Sequence, residues 1–443
     1  MFRRELRELF RLALPIAAAQ AGNQLMGVVD IAVLGRYSAR DLAACGLGNA
    51  FYFAISVIGI GIVLGLDPLI SQALGAGDRV RARRLLWQGV WLALIVAGIL
   101  TVVLLLSPLA LGPAGVKREL IEPATAYVVI RAVSLAPLLT FLAARAYLQA
   151  HGITRPMLIA TVVANVFNLV ADIVLVFGAG PLPPLGAAGA ALATVAGTFL
   201  QLAIVAAAVR AIEIPGAAAL HRWNGADVRR AFQVGWPIGL QMGAEVGIFA
   251  LVGVLAGRLG TYDLAAHQVV ISLASFTFTV AVGVAAAGSV RVGLAIGARD
   301  VMATRLAGRA AFIGGAGVMT VSALVFALAP RPLARLLTDE HAVIAVALPL
   351  FLVAAVFQLS DGVQAVGAGV LRGAGDTRYA FAANILGHWL IGFPVALLLG
   401  FRLKFGLAGL WWGLCTGLTV VAGLLFVRFK RLSATAIAPI QSH

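Results

Sequence analysis

Twelve stretches of this chain are each long and apolar enough to cross a bilayer, which leaves a bundle of membrane helices as the expected fold. They run roughly over residues 12–35, 47–72, 85–107, 127–149, 157–178, 187–209, 234–256, 266–290, 309–330, 345–369, 379–400 and 406–428. A helix needs about 20 apolar residues to span the hydrocarbon. With 61% hydrophobic and 12% charged residues, the composition lies outside the range of soluble domains. The expected fold class is therefore an all-α integral membrane protein with twelve transmembrane helices. An even number places both termini on one side.

The formal charge of +15 raises the question of nucleic acid, and its distribution answers it. With the termini inside, 22 Lys and Arg fall in cytoplasmic segments and ten in outer ones. The clusters Arg3, Arg4, Arg7, Arg11 and Arg79, Arg81, Arg83, Arg84 lie inside, whereas Lys117, Arg118 and Arg131 count as outer. Arg145, near the inner end of helix 4, reads as a snorkelling side chain. This asymmetry is the positive-inside pattern, so the partner it implies is the lipid bilayer and no nucleic acid. The expected location is the plasma (inner) membrane, multi-pass, with both termini cytoplasmic. Cys45 and Cys415 stand far apart with no metal-ligand spacing, and read as structural thiols. The first apolar run is too long for a signal-peptide core, so helix 1 is expected to be retained.

The chain also repeats itself. An offset of 222 residues lays Gly35-Arg36 and Asp41-Leu42-Ala43-Ala44 on Gly257-Arg258 and Asp263-Leu264-Ala265-Ala266. The same offset pairs Pro15 with Pro237, Asp78 with Asp300 and Arg83 with Arg305. Each half holds six helices, an even number, so the repeats are parallel and related by an axis along the membrane normal. The division expected is residues 1–210 as an N-terminal six-helix bundle, 211–233 as a polar cytoplasmic linker, 234–428 as a C-terminal bundle and 429–443 as a cytoplasmic tail. The linker carries Arg210 at its edge, then Glu213, Pro215, His221, Arg222, Asn224, Asp227 and Arg229.

Only 18 acidic residues occur in 443, yet Asp30, Asp172, Glu245 and Asp361 each lie within an apolar run. A carboxylate in hydrocarbon is costly unless protonated, paired or hydrated, and marks a functional site by default. Depth follows from the helical rise. Asp30 and Asp172 lie about five and six residues below the outer ends of helices 1 and 5, with Asn168 one turn deeper than Asp172 and Thr194 about seven residues into helix 6. Asn168 and Asp172, four apart, share a face. Together these four form an oxygen-rich candidate site for a proton or a cation such as Na⁺. Glu245 and Asp361 fall near the midplane of the second half, where two close carboxylates would share a proton or bind a cation. No Lys or Arg is placed at a matching depth, which leaves the acids without an obvious permanent partner. Asp67, just before Pro68, reads instead as a solvated helix end. His267 and His388 read as hydrogen-bonded packing residues, and Gly75-Ala76-Gly77 and Gly373-Ala374-Gly375 as tight turns.

Several segments resemble the multidrug and toxic compound extrusion (MATE) family over nearly the full length. Val29-Asp30-Ile31-Ala32-Val33-Leu34-Gly35 resembles its helix 1 signature, and Gly75-Ala76-Gly77-Asp78 and Leu148-Gln149-Ala150-His151-Gly152 its inner loops. Asn168-x-x-x-Asp172 followed by Gly189 to Thr194 is similar to a DinF-like first-half cation site. Ala265-Ala266-His267-Gln268, Val290-Arg291-Val292-Gly293, Leu359-Ser360-Asp361-Gly362 and Leu371 to Arg378 are similar to the NorM-type branch.

The resemblance implies a V-shaped transporter that exports small cationic or amphiphilic compounds against inward H⁺ or Na⁺. It carries the first-half cation site onto Asp30, Asn168, Asp172 and Thr194, and the second-half acids onto Glu245 and Asp361. Asn23, Phe357 and Gln268 are further candidates to line the cavity. Phe357 departs from the pattern, since relatives often carry Tyr there, and Asp67 replaces a small residue. No cofactor beyond the coupling ion is implied, and a monomer is expected.

Two other readings stand beside antiport. A flippase for lipid-linked oligosaccharides shares the architecture, but its anionic cargo calls for intramembrane cations where this chain has acids. An integral-membrane lipid-modifying enzyme would need a catalytic motif, and neither His-Glu-x-x-His nor a nucleophile elbow is present.

Overall fold

The computed structural model describes residues 1–113, 115–214 and 220–440. Pro215 of the expected linker and the last three residues of the expected tail lie outside the described residues. Twelve helices have the length and composition to cross a membrane: α1 Phe2–Tyr37, α2 Ala39–Gly75, α3 Arg79–Ala110, α4 Arg118–Ala150, α5 Arg155–Phe177, α6 Ala187–Arg210, α7 Gly225–Leu259, α8 Thr261–Gly297, α9 Val301–Leu328, α10 His341–Gly373, α11 Thr377–Arg402 and α12 Gly406–Leu432. The number agrees with the apolar runs, and the bounds are longer because polar residues extend the helices past the hydrocarbon. One consequence falls on the linker. Asn224 caps α7 by accepting from the backbone N–H groups of Ala226 and Asp227, so the helix begins at Gly225 rather than near 234.

Not every span is one continuous helix. The helical run of α2 breaks at Leu64–Gly65 and resumes at Leu66, and that of α4 breaks at Val133–Ser134. α11 widens into π-helical turns over Ile385–Gly392 and Leu398–Arg402. There Gly387, Gly392, Gly413 and Gly417 let α11 and α12 touch backbone to backbone. Wide turns of this kind recur at functional sites.

The internal repeat has a structural meaning at its charged positions. Asp78 caps α3 by accepting from the Arg81 N–H at 2.8 Å, and Asp300 caps α9 by accepting from the Ala303 N–H at 2.8 Å. Arg83 donates to the carbonyls of Val209 and Ile212 at the end of α6. Arg305 does the same to Ser433 and Ala434 at the end of α12. In each half, then, the third helix holds down the end of the sixth.

The halves meet at the end of the molecule that carries residues 2–10 and 433–440, here called proximal, and diverge toward the distal end. Small residues permit the closest approach: a Cβ on Gly65 would stand 2.6 Å from the Gly235 Cα, and one on Gly239 would stand 2.6 Å from the Ile58 oxygen. Among the described residues, the side-chain hydrogen bonds joining the halves all lie toward the proximal end, including Arg291 to Glu5 at 2.7 Å and Gln72 to the Gly373 carbonyl at 2.9 Å. Farther along the helices, Leu25, Val28 and Ile31 of α1, Val254 of α7 and Phe276 of α8 are exposed. The result is the V expected of this fold class, closed at one end and open at the other.

Candidate functional site

The first-half residues converge as their spacing requires. Asn168 and Asp172 stand one turn apart on α5, and Gly189 lets α6 close against α5, where a Cβ would meet the Leu175 carbonyl at 2.6 Å. Thr194 donates to Asp30 Oδ2 at 2.9 Å, and Asn168 Nδ2 approaches Thr194 Oγ1 at 3.5 Å. Asn168 and Asp172 are fully buried and Asp30 is 4% exposed.

The acceptors outnumber the donors. Asp30 Oδ1, Asn168 Oδ1 and both Asp172 carboxyl oxygens are buried without a hydrogen-bond partner in the protein. Asp30 is the electrostatic neighbour of Asp172. Buried oxygens left in this state are expensive, and a proton or a small cation is what would satisfy them. One expectation is corrected here, because a cation does lie at this depth. Arg131 is only 9% exposed, with its guanidinium 4.1 Å from the centre of the Tyr52 ring and Nη1 3.5 Å from Ser134 Oγ. It acts electrostatically on Asp30 but makes no hydrogen bond to it. The break in α4 beside Ser134 turns into the protein a side chain that the sequence counted as outer.

The second-half acids are arranged differently. Glu245 Oε1 accepts from three amides: Gln364 Nε2 at 2.5 Å, Asn384 Nδ2 at 2.5 Å and Gln241 Nε2 at 3.4 Å. Asp361 is 8% exposed and has Glu245 as an electrostatic neighbour. The two carboxylates are not hydrogen-bonded to each other, and Asp361 makes no hydrogen bond among the described residues. They share a region of the second half, with each carboxylate within the electrostatic reach of the other.

A model named MatE matches this chain over residues 15–174 and again over 237–398. The chain belongs to the MatE family. The two matches begin 222 residues apart, which is the offset of the internal repeat. A relative in Pseudomonas putida named probable multidrug resistance protein NorM is 34% identical over 436 residues, covering 96% of this chain and 94% of its own. The multidrug resistance protein NorM of Burkholderia vietnamiensis is 35% identical over 439 residues, covering 97% and 94%. In fold, a variant of the Vibrio cholerae MATE transporter VcmN is similar with a TM-score of 0.90, at 21% identity over 98% of this chain and 99% of that one. The eukaryotic MATE transporter AtDTX14 is similar at 0.87 and 21% identity, over 98% of each. Membership of MatE makes the chain an integral, multi-pass membrane transporter and not an enzyme.

Within this MatE chain the cavity-lining candidates divide. Asn23 and Gln268 are exposed, and Asn23 Oδ1 accepts from Gln201 Nε2 at 2.9 Å. Phe357 is a correction: it is 1% exposed, edge-on to Phe249 and tilted against Trp411, so it belongs to the core of the second half rather than to a cavity wall. His267 accepts from Trp411 Nε1 at 3.1 Å, and His388 Nδ1 meets the Asn384 carbonyl at 3.3 Å, which fits the packing roles expected. Asp67 is also corrected. It is 3% exposed and ion-paired with Arg372 at 3.4 Å across the proximal interface, because the α2 break precedes it and the new helical segment packs inward.

Gln241, Gln364 and Asn384 are the residues sequence reasoning missed. A signal was available in the spacings, since Gln241 stands four before Glu245 and Gln364 three after Asp361. A cavity of about 920 Å³ elsewhere, lined by Arg83, Trp87, Trp91, Arg210 and Glu213 at the proximal edge, includes none of Asp30, Asp172, Glu245 and Asp361.

Proposed function

We propose that this chain is a multidrug exporter that moves small cationic or amphiphilic compounds out of the cell by antiport with H⁺ or Na⁺. The observation that carries the reading is the donor-poor cluster of Asp30, Asn168, Asp172 and Thr194, four of whose buried oxygens (Asp30 Oδ1, Asn168 Oδ1 and both of Asp172) have no partner in the protein. Such a site attracts a proton or a small cation. Glu245 and Asp361 give the other half a second acidic site. Differential binding to two states couples the gradients: the ion neutralises the acids in one state and weakens the hold on a cationic solute, which then leaves.

In this reading the proximal end is cytoplasmic, by the excess of Lys and Arg there, and the protein sits in the inner membrane as a monomer. The V then opens outward, and alternating access comes from rocking the halves so that the distal opening closes as the proximal contact parts. The names of the NorM relatives support a multidrug substrate range. Arg131 and Arg145 do not recommend the flippase alternative, since the first is engaged with Tyr52 and Ser134 and the second has Asp67 as its anionic neighbour.

The test is ethidium efflux from proteoliposomes under a Na⁺ gradient or a pH gradient, each imposed alone. Efflux under either establishes antiport and names the ion. No response to either, with ethidium binding verified, overturns the proposal and advances the flippase.

A further inference from the structure

Buried polar groups concentrate at one place no part of this mechanism has used, the end of α2 where the halves close. Asp67 and Gln72, five residues apart on its final segment, reach consecutive residues at the end of α10 in the other half. Asp67 pairs with Arg372 at 3.4 Å, and Gln72 Nε2 donates to the Gly373 carbonyl at 2.9 Å. The other end of the Gln72 amide is also engaged: its Oε1 accepts from the backbone N–H of Ile440 at 2.7 Å. The Ile440 carbonyl in turn accepts from Arg81 Nη2 at 3.0 Å. The segment 433–440 starts in the second half, where Arg305 donates to Ser433 and Ala434. It ends on α2 and α3 of the first, and so crosses the interface as a strap.

We infer that Asp67, Gln72 and the segment 433–440 form a latch that holds the proximal end shut, with Arg145 as the counter-ion Asp67 keeps when the latch opens. The need for Arg145 follows from burial. Parting the halves removes Arg372 from Asp67, and a buried charge stripped of its partner is strongly destabilising. Arg145 of α4 lies in the same half as Asp67 and is its second cationic neighbour after Arg372. It makes no ion pair to Asp67 within 4 Å in this closed form, so it is the cation placed to take over the carboxylate on opening. Gln72 has no such alternative, since its bond to Gly373 breaks on opening and the strap must release either Gln72 and Arg81 in the first half or Arg305 in the second. The latch therefore biases the closed form through Gln72 and the strap, while the Arg145–Asp67–Arg372 triad lets the interface part without an orphaned charge. The inference rests on the rocking motion of the proposed function, but its test needs neither solute nor gradient.

The experiment places spin labels at Arg155→Cys and Arg378→Cys, two exposed positions at the proximal starts of α5 and α11. Cys45 and Cys415, both buried, are replaced by alanine, and the distance between labels is measured by pulsed electron resonance in lipid nanodiscs. The parent is expected to give mainly a short distance. Gln72→Leu removes both amide bonds, and Ile440→Pro removes the N–H alone. Each is expected to raise the ratio of long to short distances about tenfold, the scale of one or two hydrogen bonds.

Asp67→Asn is expected to raise it as well, and Asp67→Glu to restore the short distance. Arg145→Gln, made in the Gln72→Leu background, is expected to move the ratio the other way, because Asp67 then has only Arg372. That opposite sign is what a merely structural cluster would not give. Unchanged distances in Gln72→Leu and Ile440→Pro overturn the latch, and these two variants leave the ion pair intact if Asp67→Asn does not fold. A rise with Arg145→Gln overturns its assigned part. Loss of gradient-driven ethidium efflux in the parent would count against antiport, while these distances would still decide for or against the latch.

Discussion

The two acidic sites of this molecule are built on opposite plans. In the first half, Asp30, Asp172, Asn168 and Thr194 bring together carboxyl and amide oxygens with one good donor among them, the Thr194 hydroxyl, and four oxygens remain unpartnered. In the second half, three amides converge on a single oxygen of Glu245. The first is a site whose missing partner must come from outside the protein. The second supplies its own donors and holds one carboxylate in place, leaving Asp361 beside it without a hydrogen bond. Counting acids alone makes the halves look equivalent, whereas counting donors separates them. A ligand-dependent charge balance belongs to the first site, and orientation of a carboxylate belongs to the second.

The largest effect is expected where the balance is most one-sided. Asp172→Asn keeps the shape but puts an N–H₂ where only acceptors stand. Gradient-driven ethidium efflux should fall about 100-fold, near the upper end of ordinary coupling energies. The melting temperature should rise at the same time, because the new amide can donate to the unpartnered Asp30 oxygen, a gain of about 1 kcal/mol. Loss of transport with a lower melting temperature would mean that Asp172 is a structural acid, and would erase the contrast with the second half.

The next effect lies in the amide cage. Asn384→Leu removes one of the two 2.5 Å bonds to Glu245. A hydrogen bond to a charged group is worth about 1.5–3 kcal/mol. Efflux should therefore drop about tenfold, and the melting temperature should fall too, the reverse of the Asp172→Asn result. Asn384→Gln, which keeps the amide on a longer stem, should recover part of the loss. Equal stability signs in the two halves would show that donor count is not what distinguishes them.

How much of this contrast the sequence displays depends on the kind of residue. The twelve spans and the four acids are legible, since continuous apolar length and a charge inside it are both one-dimensional signals. Asn168 and Thr194 are legible through helical spacing and depth. Gln241 and Gln364 carry only a faint signal in their spacing to Glu245 and Asp361, and Asn384 carries none, because an uncharged amide in a membrane helix reads as ordinary interhelical contact; their convergence from α7, α10 and α11 gives them meaning. Arg131 and Asp67 fail for a different reason. Each lies next to a break, at Val133–Ser134 and at Leu64–Gly65, and a small change in helix direction turns an apparently solvated end into a buried contact. Asp67 also has its partner 305 residues away, beyond any local pattern.

Smaller effects probe the surroundings of each site. Arg131→Met removes the buried cation that acts on Asp30 without touching it. At an effective dielectric near 20, a charge a little beyond contact is worth on the order of 1 kcal/mol. The first site should then bind its coupling cation several-fold more tightly, read as a lower half-saturating ion concentration for efflux, with no change in the second-half variants. An unchanged half-saturation would place the coupling ion away from Asp30.

Phe357→Tyr is expected to do least for transport, and its sign is informative. The resemblance to relatives with Tyr at this position would make the added hydroxyl an oxygen ligand beside Asp361. The structure has Phe357 1% exposed, wedged between Phe249 and Trp411, so the hydroxyl enters apolar packing instead. Burying it without a partner costs about 1–3 kcal/mol. The melting temperature should therefore fall by a few degrees while the half-saturating ion concentration stays within about twofold of the parent. Should the variant instead bind the ion markedly tighter with no loss of stability, the second half would have room for a ligand sphere like that expected of the first. The contrast between the two plans would then narrow to the amides around Glu245.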